Sequence, residues 1–249
     1  MNYNRLYDKL KFSPIPKVEF LNYIANIIGL CEDFNVELEI LKASGFPLLE
    51  EDKVISLSTK KIQWQEQIFC FVDIETTGSK PKDSSMIEIG ALKYKYGQII
   101  DRFESFVYAK EVPEKIVELT GITAKTIENS PHAKEVLKKF RSFLGDSIFV
   151  AHNVNFDYEF MSYHMNEIGL NYILNPKLCT IDLARRTILS PRYSLAFLNA
   201  FLGINTPISH RAYADALTAL RVFEISLECL PSWVNTTQDL LDFSRGKKK

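Results

Sequence analysis

The sequence predicts an α/β layered fold with a mixed central sheet flanked by helices, preceded by a small, mainly helical N-terminal module. Three observations predict it. From Ile68 onward three strand-like stretches come first, and strands then alternate with helices, which is the order of a mixed sheet with helices on its faces. Upstream, residues 17–57 show helical spacing followed by a short hairpin pattern, a unit of its own. Finally, 249 residues that are 46% apolar and 24% charged supply enough core for one large domain and a small accessory one.

In the module, "VEFLNYIANIIGL" spaces Val18, Leu21, Ile24 and Ile28 at helical intervals, and "EDFNVELEILKAS" is a second helix closed by Gly45. "FPLLEEDKVISLST" follows as two short strands around an acidic turn. This order resembles a reduced winged helix, though three short elements also suit a plain packing domain. "TKKIQWQEQ" is a polar joint, which divides the chain into residues 1–65 (module and linker), 66–230 (the α/β domain) and 231–249 (a tail). In the α/β domain, "IFCFVDI", the hairpin "MIEIGALKYKYGQIIDRFESFVYA" turning at Tyr96-Gly97, and "SIFVAHN" supply strands. "HAKEVLKKFRSFLG", "NFDYEFMSYHMNEIGL", "SLAFLNAFLGI" and "AYADALTALRVFEISLECL" supply helices, and the tail reads "WVNTTQDLLDFSRGKKK".

No apolar run reaches membrane-spanning length and the N-terminus lacks the apolar segment of a signal peptide, so a cytoplasmic location without membrane contact is expected. Cys31, Cys70, Cys179 and Cys229 are scattered, without the close pairs of a zinc site or disulfide scaffold. A net charge of −1 neither demands nor excludes a nucleic-acid partner, because a local site does not register in the total.

Chemistry enters with "IFCFVDIETTGSKP", where Asp73 and Glu75 lie in one of the most apolar runs of the chain. Residues i and i+2 of a strand share a face, with Cα atoms roughly 6 to 7 Å apart. Two carboxylates side by side repel, so either one is protonated or a cation bridges them, and hard oxygen ligands suit Mg²⁺ or Mn²⁺. A strand end with two solvated acids is the plain alternative. Three further residues tip the balance: Asp157 opens a helix directly after a strand, His210 precedes a helix, and Asp215 lies inside it. Ala212, Ala214, Ala216 and Ala219 keep that last helix thin enough to approach a sheet closely.

"FVDIETTG", "HNVNFD" and "HRAYADA" together resemble the three motifs of the DEDDh family of 3′→5′ exonucleases, over roughly residues 66–230. The resemblance implies a ribonuclease H-like sheet and carries the family acids onto Asp73, Glu75, Asp157 and Asp215, with His210 as the family histidine. His210 lies five residues before Asp215, as in the histidine subclass, whereas the tyrosine subclass needs Tyr where Arg211 stands. Within the family the chain is most similar to the proofreading (epsilon) subunit of bacterial DNA polymerase III and to the exonuclease domain of Gram-positive replicases. Thr120 stands where the best-known epsilon subunits carry His.

What the resemblance implies is two-metal hydrolysis. Asp73 bridges two divalent cations, Mg²⁺ or Mn²⁺; Glu75 and Asp215 complete the first, Asp157 holds the second, and His210 is general base. Backbone groups at Thr76, Thr77 and Gly78 grip the terminal sugar, and His152 and Asn153 contact phosphate or base, unless they merely cap the helix. Implied partners are a DNA 3′ end and the catalytic subunit of a replicative polymerase. An RNase of the same family, a free-standing repair nuclease, and a DNA-binding regulator on a degenerate scaffold stay open as alternatives. In the tail, "QDLLDF" resembles a sliding-clamp-binding motif, with Gln238, Leu241 and Phe243 as its anchors on a flexible peptide, and an ordinary amphipathic turn packed on the domain is the alternative.

Overall fold

A computed structural model describes residues 3–28, 34–206 and 210–246. The module begins earlier than its hydrophobic spacing suggests. α1 (Tyr3–Phe12) leads into β1 (Ile15–Pro16), α2 (Lys17–Ile28), α3 (Phe34–Ala43), β2 (Leu48–Glu51) and β3 (Val54–Leu57). β3 pairs antiparallel with both β1 and β2. The order helix–strand–helix–helix–hairpin has one helix and one strand more than the sequence pattern shows. α1 escapes a periodicity reading because its buried side is only Leu6 and Leu10, one turn apart among polar residues. α2 buries Phe20 and Ile24, whereas Val18 is 72% exposed, so the expected stripe is rotated; the Ile28 side chain lies outside the description. α3 turns Val36, Glu39 and Ile40 to solvent, in place of the cations that a helix reading a DNA groove would carry.

The second unit is the expected α/β layer. β4 (Phe69–Thr76), β5 (Met86–Lys95) and β6 (Gln98–Phe106) form an antiparallel meander. Tyr96 and Gly97 both take positive φ at the β5–β6 turn, which matches the right-handed twist of the flanking strands. After α4 (Glu114–Thr120), α5 (Ala124–Ile127) and α6 (Ala133–Leu144), β7 (Ile148–Ala151) joins β4 in parallel. Then come α7 (Val154–Glu167) and β8 (Lys177–Cys179), followed by α8 (Thr180–Thr187), α9 (Leu195–Phe201), α10 (Ala212–Leu227) and α11 (Thr237–Ser244). The sheet order is β6-β5-β4-β7-β8, a mixed sheet, and among the described residues no helix is long and apolar enough to cross a membrane. Cys70, Cys179 and Cys229 are free thiols, and Cys31 falls outside the described residues.

The two-residue period of β4 divides the core. Cys70, Val72 and Ile74 pack with Phe140 of α6 and Phe160 of α7. Phe69 and Phe71 pack on the other face with Phe223 of α10, at ring distances of 5.1 and 5.2 Å. Burying each such ring is worth about 1.5–3 kcal/mol, so the face of β4 toward α10 is strongly specified. Asp73 and Glu75 continue that face beyond the apolar part. α10 lies so close to β5 that a Cβ on Gly90 would fall 2.1 Å from the Tyr213 nitrogen; Ala212, Ala216 and Ala219 form the buried side of the helix.

The tail takes the packed alternative rather than that of a flexible peptide. Thr236 caps α11 through a reciprocal capping box with Asp239, a signature already present in "TTQD". The Gln238 Oε1 accepts hydrogen bonds from the Tyr7 hydroxyl (2.7 Å) and the Thr59 hydroxyl (2.9 Å), while Lys11 pairs with Asp242 at 2.5 Å. Leu241 is fully buried and Phe243 is 7% exposed, packed edge-on against Trp233. The three residues assigned to a clamp are therefore inside the protein, where they fasten the module to the α/β unit. A partner could take them only by unpacking α11.

Candidate active site

β4 pairs with β7 only over Phe69–Phe71 but with β5 as far as Thr76. The last residues of β4 thus have a free edge on the β7 side. The Ile74 N–H on that edge donates to the Asp157 Oδ1 at 3.2 Å. Asp157 reaches it because β7 turns straight into α7 through Asn153, which takes a left-handed conformation (φ 73°) that Asn tolerates better than most residues. Asp157 is 3% exposed.

The opposite wall is the start of α10. Glu88, directly across from Glu75 on β5, is buried and accepts four bonds. The Arg211 Nε donates to both of its oxygens (3.1 and 3.2 Å), the Arg211 Nη2 to Oε1 (2.7 Å), and the Ala212 N–H to Oε2 (3.1 Å). The guanidinium also lies over the Phe106 ring at 5.3 Å. One turn into α10, the Asp215 Oδ2 accepts the His210 N–H at 3.0 Å, across a left-handed His210 (φ 59°). Ligand atoms of Glu75, His210 and Asp215 lie within 4.8 Å of one another.

The electrostatics are those of a crowded acid cluster. Burial pushes the Asp73 carboxyl well above the usual range, and the charges of Asp157, Asp215, Glu75 and Glu88 add to the push. Burial raises Glu75 to about 7, with Asp215 and Glu88 adding and Arg211 opposing. Asp157 rises to about 8 through burial, against the hydrogen bonds from its own and the Ile74 N–H groups. Asp215 is also raised, mainly by burial. Arg211, whose guanidinium opposes the shift of Glu75, is committed to Glu88. Divalent cations fit this site on two grounds: oxygen-rich ligands converge, and a cation relieves the desolvation and repulsion that otherwise favour protonated carboxyls. Glu75, His210 and Asp215 bring ligand atoms together, while Asp73 and Asp157 join them through the charges they exert on one another.

The remaining candidates divide. The Thr76 hydroxyl donates to the Gly78 carbonyl (2.8 Å), and Thr77 is clipped to Ser85 through both its N–H and its hydroxyl (2.8 and 2.9 Å). A Cβ on Gly78 would come within 2.7 Å of the Ser84 Oγ, so the loop after β4 is tight and its shape is fixed internally. His152 follows the structural alternative of a strand-end polar group. Its Nε2 donates to the Tyr193 carbonyl and its Nδ1 accepts from the Thr180 hydroxyl, both at 2.8 Å, leaving neither nitrogen for a substrate. Burial lowers its pKa to about 4, so the ring stays neutral and ties β7 to α8. Asn153 is exposed and makes no side-chain cap bond. Thr120, in the position that departs from the family pattern, caps α4 by donating to the Ile116 carbonyl and accepting from the Ile122 N–H. The sequence reading missed Glu88 and the role of Arg211; the available signal was the third acid in register beside Asp73 and Glu75, within "MIEIGALKY".

Comparison with known proteins agrees with this geometry. The profile of the exonuclease family RNase_T matches residues 70–223. The PolC-type DNA polymerase III of Thermotoga maritima is 40% identical over 157 residues, 62% of this chain and 11% of that protein. The PolC-type polymerase of Clostridium perfringens is 41% identical over 160 residues, 63% of this chain and 11% of that protein. The chain thus spans about a tenth of the length of these relatives. Among solved structures, E. coli exonuclease I in complex with a dA16 oligonucleotide superposes with a TM-score of 0.61 at 17% identity, covering 72% of this chain and 43% of that one, which establishes a shared fold.

Proposed function

Because the chain belongs to the RNase_T exonuclease family, we propose that it removes nucleoside 5′-monophosphates from DNA 3′ ends, with two divalent cations, Mg²⁺ or Mn²⁺, as cofactors. The observation that carries this reading is the convergence of Glu75, His210 and Asp215 ligand atoms within 4.8 Å, beside Asp73 and Asp157 carboxyls raised by burial and mutual repulsion. Asp73, which feels the charges of Asp157, Asp215, Glu75 and Glu88, would hold the cations together with Glu75, Asp215 and Asp157. Bound cations lower the pKa of a coordinated water and stabilise charge on the leaving oxygen. His210, exposed at the mouth of the site and held by its backbone bond to Asp215, takes the proton from the attacking water. The clipped loop at Thr76, Thr77 and Gly78 offers a rigid backbone edge for the terminal sugar, and Asn153 an exposed amide at the start of α7.

The relatives supply the setting. PolC-type polymerases at about 40% identity favour proofreading beside a replicative polymerase over an epsilon subunit proper, with the polymerase catalytic subunit as partner. The test is digestion of matched and mismatched primer–templates in DNA and RNA, with Mg²⁺ or Mn²⁺ and with chelator, followed by product analysis. Metal-dependent release of 5′-mononucleotides from the 3′ end, faster at a mismatch and lost in Asp73→Ala and Asp215→Ala, is the expected result. Full activity in either purified variant overturns the assignment; preference for the RNA substrate replaces DNA by RNA.

A further inference from the structure

We propose that the chain carries a second nucleic-acid-binding surface outside the catalytic centre, an aromatic cavity joined at Arg245 to an arginine cluster, which holds a single strand. The cavity has a volume of about 670 Å³ and lies between the module and the α/β unit. Tyr3 and Tyr7 of α1 form one wall, and Tyr158 and Tyr163 of α7 with Tyr172 form another. Lys177 and Arg245 stand among these rings. Arg245 also lines an adjoining depression of about 450 Å³ together with Arg185 and Arg186 of α8. None of the catalytic residues borders either space.

The chemistry suits a strand of nucleotides. Rings offer faces on which bases stack without regard to sequence, and interleaved cations track the phosphates between them. Three of the cations are themselves stacked: the Lys177 Nζ lies 4.7 Å from the centre of the Tyr158 ring, Arg186 5.1 Å from that of Phe243, and Arg185 5.8 Å from that of Tyr193. Four cations line the two spaces against two carboxylates, Glu159 and Asp182, in a chain whose net charge is −1. Tyr172 is 43% exposed. Asn175, only 2% exposed, also lines the cavity; its Nδ2 donates to the Gly145 and Ser147 carbonyls, while its Oδ1 has no hydrogen-bond partner. That oxygen packs against Gly45, where an added Cβ would stand 2.0 Å from it, so Asn175 holds the cavity wall in place and does not itself meet a base.

The surface shares α7 with the site. The Lys177 Nζ donates to the Asn155 Oδ1 (2.8 Å), two residues before Asp157. Arg185 covers Tyr193, whose carbonyl receives the His152 bond. Naming the strand as substrate rests on the nuclease reading above; its binding does not.

The experiment measures anisotropy of labelled single-stranded dT15 with the full chain in chelator, where hydrolysis plays no part. Tyr172→Ala with Arg186→Ala should weaken binding about tenfold or more, since a stacking ring and a phosphate contact are both lost. Each lost phosphate contact should also reduce the salt slope by about 0.7. Arg186→Glu is the second variant and should weaken binding further. Metal-dependent cleavage of a dinucleotide, too short to reach the surface, should proceed at the parent rate in both variants, which also reports that they fold. Parent affinity and parent salt slope in both variants overturn the proposal, as does displacement of dT15 by an equal concentration of dTMP. Failure of the parent to cleave any substrate defeats the nuclease reading instead, and the binding result still decides this one.

Discussion

Replacing Asp157 by Asn removes a buried charge while keeping an oxygen to accept the Ile74 N–H, which donates to it at 3.2 Å. Burial lifts this carboxyl from its ordinary 3.8 to about 8. A raised carboxyl leaves the native state unpenalised below the ordinary value. Between about pH 4 and pH 8 the folded chain holds a proton that the unfolded chain has released, so stability falls as pH rises through that window. At about 1.4 kcal/mol per unit, the loss at pH 8 has a ceiling of about 5 kcal/mol. Water entry and relaxation around the cluster reduce it, and about 2–3 kcal/mol is expected for a single buried-charge replacement. In a chain of this size that is roughly 4–12 °C in melting temperature. The assay is thermal unfolding of parent and Asp157→Asn in chelator at pH 5 and pH 8, repeated with Mn²⁺. In chelator the variant should melt above the parent at pH 8 and near it at pH 5. With Mn²⁺ the parent should gain more, because a ligand that binds only the folded state stabilises it by mass action and the variant has lost a ligand. A parent as stable as the variant at pH 8 in chelator would refute the claim that repulsion and desolvation dominate this cluster.

Three further outcomes follow from the same contacts. His210→Ala should lower the rate by about 10²- to 10⁴-fold while retaining metal-induced stabilisation, with a flatter acidic limb of the pH–rate profile; an unchanged profile from pH 6 to 8 removes His210 as base. Glu88→Ala strips Arg211 and the Ala212 N–H of their acceptor, and should cost about 2–4 kcal/mol, tempered by the 42% exposure of the arginine side chain. It should also weaken Mn²⁺ binding, whereas Glu88→Gln should recover part of the stability; equal stability of Glu88→Ala and parent by denaturant titration would discount the pair. Leu241→Ala should destabilise the whole chain by about 2–5 kcal/mol, as expected for a fully buried leucine, and calorimetry would reveal an unaltered midpoint if α11 were loosely held.

The sequence by itself determined what depends on short-range periodicity. Alternation along "IFCFVDIET" places Asp73 and Glu75 on one face because a strand has a period of two whatever surrounds it. The position of Asp157 just after a strand, and the alanines that thin α10, are equally local, and so the α/β layering and the elements that carry the candidate acids were legible. Tertiary structure alone decided the pairings between distant segments. Glu88 and Arg211 are 123 positions apart, and Tyr7 and Gln238 are 231 apart; nothing nearby in the chain names these partners. The short reach of β7 along β4 freed the Ile74 N–H for Asp157. The approach of α8 and of the Tyr193 carbonyl to the end of β7 used up both nitrogens of His152. The same holds for the tail, whose capping box and Leu241 suit a clamp peptide or a packed helix equally well as a pattern. Packing chose the helix, because α1, Thr59 and Trp233 offered its polar and apolar sides a complete set of partners.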